Sequence, residues 1–123
     1  MFEVSIEEVF PAGHALRNYH GKCENVHGHN YRVRVTVEGP ELDDTGLLLD
    51  FAELKRLVRA VKDRLDHQFL NDLPPFTELN PSAENIAKYF HDEIQPYTSA
   101  KLTEIKLWET DVACATYRPV PRS

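Results

Sequence analysis

The chain has 123 residues, enough for one packed domain and too few for two. Hydrophobic residues make up 41% and charged residues 28%, a balance that excludes a disordered or fibrous chain, and no apolar run is long enough to cross a bilayer as a helix. The net charge of -6 excludes a broad nucleic-acid-binding face, which needs clustered Lys and Arg, but leaves room for a small anion held by a few local cations.

The N-terminal stretch MFEVSIEEVF is acidic and lacks the basic-then-apolar order of a signal peptide, so a cytoplasmic location is expected. Apolar residues at 2, 4 and 6, then at 9 and 10, predict a strand over Phe2 to Val9 with a break near its end. Residues 11–26 lack sustained periodicity and read as a loop, with Gly13 and Gly21 suited to turns. Strict alternation then predicts a strand from Asn30 to Gly39. Tyr31, Val33, Val35 and Val37 share one face, and Arg32, Arg34, Thr36 and Glu38 share the other. The turn GPELDDTG leads to Leu47-Leu48-Leu49.

Asp50 reads as a helix N-cap with Glu53 as its capping-box partner. Phe51, Leu54, Leu57, Val58, Val61 and Leu65 follow at helical spacing, which predicts a helix over about 51–65 ending at Asp66-His67. Asn80-Pro81-Ser82 opens a second helix with Ile86, Tyr89, Phe90 and Ile94 on its inner side, closed by Pro96. Strands over Leu102 to Glu109 and Ala113 to Arg118 finish the chain, followed by a proline-rich tail. The order ββααββ with short links predicts an α+β fold, a four-stranded antiparallel sheet with both helices on one face.

The densest chemistry lies in CENVHGH, residues 23–29. His27 and His29 are two apart, so on a strand their imidazoles emerge on one face and can chelate one ion. Gly28 between them leaves room for a close approach. His14, near the end of the first strand, is the third candidate, since a paired neighbouring strand lies roughly 5 Å away. Three neutral nitrogens with an open fourth position suit a catalytic Zn2+ that polarises a substrate oxygen. A closed structural zinc with Cys23 as fourth ligand is the alternative, and a chance pair of turn histidines is the plainest one. His20 and His91 read as surface or packing residues.

Cys23 stands four residues before His27, where a nearby cation would favour its thiolate as a base or nucleophile; a small buried hydrophobe is the plain reading for it and for Cys114. Two cysteines read as free thiols rather than as a disulfide scaffold. Asp66 beside His67 suggests a carboxylate–imidazole pair, although adjacent residues rarely bond directly and a helix-end cation explains His67 equally well. Glu109 shares a strand face with Ile105 and Leu107. It needs a partner there, such as a ligand's N–H groups, unless the strand end is wet.

Taken together, FPAGH (10–14), CENVHGH, GLLLDFAELK (46–55), LDHQFLND (65–72), NPSAEN (80–85) and WETDVACATY (108–117) run in one family's order over nearly the whole chain. The chain resembles the 6-pyruvoyl-tetrahydropterin synthase superfamily, and within it the bacterial 6-carboxy-5,6,7,8-tetrahydropterin synthase branch of the queuosine pathway. The resemblance implies the tunnelling fold, whose subunits assemble into barrels with active sites between them, as a homo-oligomer and specifically a hexamer built as a dimer of trimers. It implies Zn2+ on His14, His27 and His29, Cys23 as general base, and Asp66 with His67 completing a proton relay. It implies Glu109, with Thr110 beside it, as anchor for the pterin's guanidine-like edge, and a pterin triphosphate as substrate; Arg17 and Lys22 in the loop are the candidate cations for its phosphates. Three residues separate Cys23 from His27, as in the carboxy-forming branch, against five in the pyruvoyl-forming one. Gly13 before His14 is a small departure from the pattern. The competing expectations are the pyruvoyl-forming synthase itself and a non-catalytic zinc-binding module.

Overall fold

The computed structural model describes residues 1–19 and 25–120. The chain order is β1 (Phe2–His14), β2 (His27–Gly39), α1 (Phe51–Leu65), α2 (Ala83–Ile94), β3 (Lys101–Thr110) and β4 (Ala113–Tyr117), with short 3-10 turns after each helix. The strands form one antiparallel sheet in the order β1-β2-β3-β4. α1 packs on β1, and α2 packs on β3 and β4. The predicted ββααββ architecture is therefore the observed one. No helix among the described residues is long and apolar enough to cross a membrane.

The first strand is longer than its pattern suggests. β1 pairs with β2 without interruption from Phe2↔Gly39 to His14↔His27. The expected break at Val9 is only an apolar residue on the outer face, 64% exposed. Pro11 does not stop the strand because its missing N–H lies on β1's free edge. The backbone of 11–13 turns its outward groups to the segment after α1: His67 N donates to the Pro11 carbonyl at 2.7 Å, and Gly13 N donates to the Gln68 carbonyl at 2.9 Å. Proline is tolerated where no ladder hydrogen bond is required. Residues 11–14, read as loop in the sequence, thus carry the strand to His14.

α1 begins where Asp50 accepts a hydrogen bond from Ala52 N at 2.8 Å. The second half of the expected capping box is absent, because Glu53 holds Arg56 instead, at 2.6 and 3.0 Å. Its buried stripe is Leu54, Leu57, Val58, Val61 and Leu65, while Phe51 at the first helical position is exposed. α2 starts at Ser82, whose hydroxyl oxygen accepts from Asn85 N at 3.2 Å, and it buries Ile86, Ala87, Phe90 and Ile94.

The core lies between the helices and the sheet face that carries Val33, Val35, Val37, Ile105 and Leu107. Phe10 stacks on Tyr31 at 5.3 Å between ring centres and meets Phe90 at 5.9 Å. A bulge between Thr36↔Glu104 and Val37↔Leu102 lets Leu102 and Ile105, three apart, both face inward. On the other face the Arg32 and Arg34 guanidiniums lie 4.2 and 5.1 Å from the centre of the Trp108 ring, and Arg34 pairs with Glu7. Cys114 is exposed opposite Trp108 rather than buried. Leu54 is fully buried between α1 and this sheet. Leu54→Ala should therefore cost about 3 kcal/mol, read as a lowered midpoint in chemical denaturation with an unchanged slope.

Candidate metal centre and active site

The antiparallel register brings the three predicted histidines together. His14 is the last residue of β1 and stands directly opposite His27, the first of β2, while Ala12 stands opposite His29. Residues opposite each other share a face, as do residues two apart, so all three imidazoles project on the helix side of the sheet at one end. Ring centres are 4.6 Å apart for His14–His27, 5.1 Å for His14–His29 and 4.9 Å for His27–His29. Gly28 is not there for steric reasons. A Cβ would meet only the Ala12 carbonyl, at 3.6 Å, which is ordinary contact.

The outer nitrogens of two of these rings are tied to carbonyls. His14 Nδ1 lies 2.9 Å from the Pro81 carbonyl, and His27 Nδ1 lies 2.9 Å from the Asn25 carbonyl. A carbonyl oxygen only accepts, so both Nδ1 atoms carry a hydrogen, and in the neutral form of each ring Nε2 presents a lone pair. Those two Nε2 atoms face each other at 3.0 Å. The Glu109 Oε1 oxygen stands 3.0 Å from His14 Nε2 and 3.2 Å from His29 Nε2. Electron-rich atoms converging in this way repel one another unless a cation lies among them. Neutral imidazoles fixed by a second hydrogen bond are the usual metal-ligand form. His14, His27, His29 and Glu109 can thus hold a metal ion, and their ligand atoms all lie within 4.8 Å of one another.

Two supports of this cluster are not visible in the local sequence. The Pro81 carbonyl comes from the start of the α2 segment, 67 residues from His14. The Tyr31 hydroxyl lies 3.0 Å from the same His14 nitrogen. Burial, and then the nearby Glu109 charge, push the Tyr31 phenol up, so it stays neutral. Asn71 and Asn80 fasten the chain just beyond His14. The Asn71 amide accepts from Ala15 N at 2.9 Å and donates to its carbonyl at 2.8 Å, and Asn80 does the same for Arg17 at 2.8 Å each way. Both asparagines stand in the family-like strings LDHQFLND and NPSAEN, which was the available signal. The Arg17 guanidinium donates to the Phe76, Leu79 and Asn71 carbonyls, so it serves this clamp rather than standing ready for an anion.

The Asp66 and His67 side chains lie close together, but without a hydrogen bond between them: Asp66 Oδ1 is buried and has no hydrogen-bond partner among the described residues. His67 has φ 59, in the left-handed region, which turns its ring back so that Nδ1 lies 2.9 Å from Asp66 Oδ1. A non-glycine residue held there is uncommon and costs free energy, a pattern often found at functional positions. The carboxylate lies beside Nδ1 of a His67 side chain that is 77% exposed. His67 and His29 both line an open cleft of about 520 Å3, with Pro11, Gly13 and Phe69.

Glu109 is the odd residue in a second bulge. Trp108 pairs with Cys114 and Thr110 with Ala113, so Glu109 has no residue opposite it on β4, and the β2–β3 ladder ends one residue earlier at Arg32↔Trp108. Bulges commonly re-aim a side chain. Here the carboxylate turns to the histidines while also lining a cleft of about 320 Å3 with Glu84, Ala113 and Thr116. The Thr110 hydroxyl accepts from Ala113 N at 3.1 Å and from Val112 N at 3.4 Å, shaping the β3–β4 turn beside it. His91 is a packing residue against Tyr117 and Asp92. Cys23, with His20 and Lys22, lies outside the described residues.

Comparisons with known proteins show the family and the fold. The family pattern described as 6-pyruvoyl tetrahydropterin synthase matches residues 3–120. The chain is 37% identical to 6-carboxy-5,6,7,8-tetrahydropterin synthase of Bacillus subtilis (strain 168), over 96% of this chain and 86% of that protein. It is 33% identical to 6-pyruvoyl tetrahydrobiopterin synthase of Dictyostelium discoideum, over 90% of this chain and 91% of that one. The solved structure of Caenorhabditis elegans 6-pyruvoyl tetrahydropterin synthase superposes with a TM-score of 0.82 at 32% identity, covering 98% of each chain. That likeness bears out the tunnelling fold implied by the motifs. By pattern, identity and fold alike, the chain belongs to the 6-pyruvoyl tetrahydropterin synthase family.

Proposed function

We propose that this protein is a zinc-dependent 6-carboxy-5,6,7,8-tetrahydropterin synthase. It would convert 7,8-dihydroneopterin triphosphate and water to 6-carboxy-5,6,7,8-tetrahydropterin, acetaldehyde and triphosphate. The observation that carries the reading is the convergence of His14, His27 and His29 at the paired ends of β1 and β2, in a chain similar throughout to tetrahydropterin synthases. Three nitrogen donors with one carboxylate beside them suit Zn2+ among the divalent ions. When bound, Zn2+ would polarise the substrate's side-chain oxygens.

The remaining roles fall to the chain's own groups. Cys23, as thiolate, removes a carbon-bound proton from the substrate side chain. His67, with the Asp66 carboxylate beside it, returns a proton. Glu109 and Thr110 meet the pterin's N–H edge. His67 sits on the free edge of β1 and Glu109 in the bulge next to β4, the opposite edge strand. This placement supports a centre completed between copies of the chain, with Asp66 and His67 of one copy serving another.

The pyruvoyl-forming reaction on the same substrate is the second reading, favoured by the likeness to the Dictyostelium protein. The three-residue gap between Cys23 and His27 supports the carboxy-forming one. Incubation with 7,8-dihydroneopterin triphosphate, followed by mass analysis, separates them. Acetaldehyde should appear with 6-carboxytetrahydropterin and should vanish after chelation. Pyruvoyl product without acetaldehyde would favour the second reading, and full turnover of chelated protein would reject both.

A further inference from the structure

The open fourth coordination position expected beside the three histidines contains a carboxylate oxygen. Four ligands about 2.0–2.1 Å from a tetrahedral ion stand roughly 3.3 Å from one another. Glu109 Oε1 is 3.0 Å from His14 Nε2 and 3.2 Å from His29 Nε2, and the two facing histidine nitrogens are 3.0 Å apart. The carboxylate thus stands from two of the three rings, His14 and His29, at close to the spacing at which ligands of one ion stand from each other. A carboxylate that only recognised a substrate's N–H groups would have no reason to share that spacing.

The backbone around Glu109 suits a ligand that can leave. It lies one residue past the last β2–β3 pair and is the unopposed residue of the β3–β4 bulge, so neither ladder fixes its orientation. Its side chain is 30% exposed and opens onto the cleft that also holds Glu84 and Thr116. It can therefore be reached, and drawn aside, from outside the ring cluster. His14, by contrast, is 1% exposed and anchored on Pro81, so it has no such freedom.

We propose that Glu109 is a fourth metal ligand of the substrate-free centre, closing it as a three-histidine, one-carboxylate site, and that it must withdraw for substrate to reach the ion. This rests on the metal-centre reading above and adds to it an exchange at one residue: a resting site shut against small ligands and opened by the arriving substrate. Closing the position would limit adventitious ligands while substrate is absent.

Cobalt(II) titration of the metal-free protein tests this without turnover, because the visible d–d bands report the ligand set. Wild type should bind one equivalent, with a spectrum that added imidazole, a neutral ligand, leaves unchanged. Glu109→Gln should bind one equivalent about 10-fold more weakly, with displaced bands that imidazole shifts further. Affinity alone does not decide, since an outer carboxylate would also matter, so the band positions and the imidazole response carry the result. Identical spectra and identical imidazole responses in the two proteins would overturn the proposal. If the variant does not fold, a wild-type spectrum that shifts at low imidazole overturns it equally. Failure of wild type to bind cobalt, or equal binding by His27→Ala, would instead remove the metal centre itself.

Discussion

His27→Ala should fold as the wild type does and lose its metal. The residue opens β2 and is less buried than His14, and its outer nitrogen is held by the neighbouring Asn25 carbonyl, so little packing depends on it. Removing one imidazole from a site of this kind should weaken metal binding by more than about 100-fold, beyond the range typical of outer-shell changes. Synthase activity should fall by at least about 1000-fold in step with metal content. Metal analysis after dialysis, beside circular dichroism, checks both halves of the expectation. A variant that retains a full equivalent of metal would take His27 out of the centre. His14→Ala should behave differently: it strands the Pro81 carbonyl and the Tyr31 hydroxyl in a buried site, adding about 1–3 kcal/mol of lost stability to the loss of metal.

Cys23→Ala should produce the opposite dissociation of properties. Metal content should stay at one equivalent, while turnover falls by about 100- to 10 000-fold, the usual range for loss of a positioned acid or base. The contrast with His27→Ala separates a proton-transfer role from a ligand role. If Cys23 were the fourth ligand of a closed structural site, its removal would instead lower metal affinity and destabilise the fold on chelation. Full activity in Cys23→Ala would show that the thiol takes no part in the chemistry.

The parts of the fold that depend on local pattern were legible from the residues. α1 occupies 51–65 because six apolar residues at helical spacing, five of them buried, follow Asp50, and Tyr31 to Val37 alternate as a half-buried strand must. β1 outruns its predicted end because residues 11–14 show no sustained alternation, and no local pattern says that the Pro11 nitrogen faces a free edge. In the site, His27 and His29 announced themselves by their spacing, and His14 by its place near a strand end. The close approach of Asp66 to His67 was not legible, since it occurs at a left-handed backbone position. Nor was the position of Glu109, since its face was readable but the bulge that turns it to the histidines is set by pairing with β4. The Pro81 and Asn80 supports lie more than 60 residues from what they hold, beyond the reach of any periodicity.

The clasp of residues 67–69 along β1 also works as a doorstop. It takes up the outward backbone groups of Pro11 and Gly13, leaving only those of Glu3, Ser5, Glu7 and Val9 unclaimed by it along that margin. A strand from a second molecule that zips onto β1 must halt short of Pro11. The stop sets how far such a partner can slide along that margin.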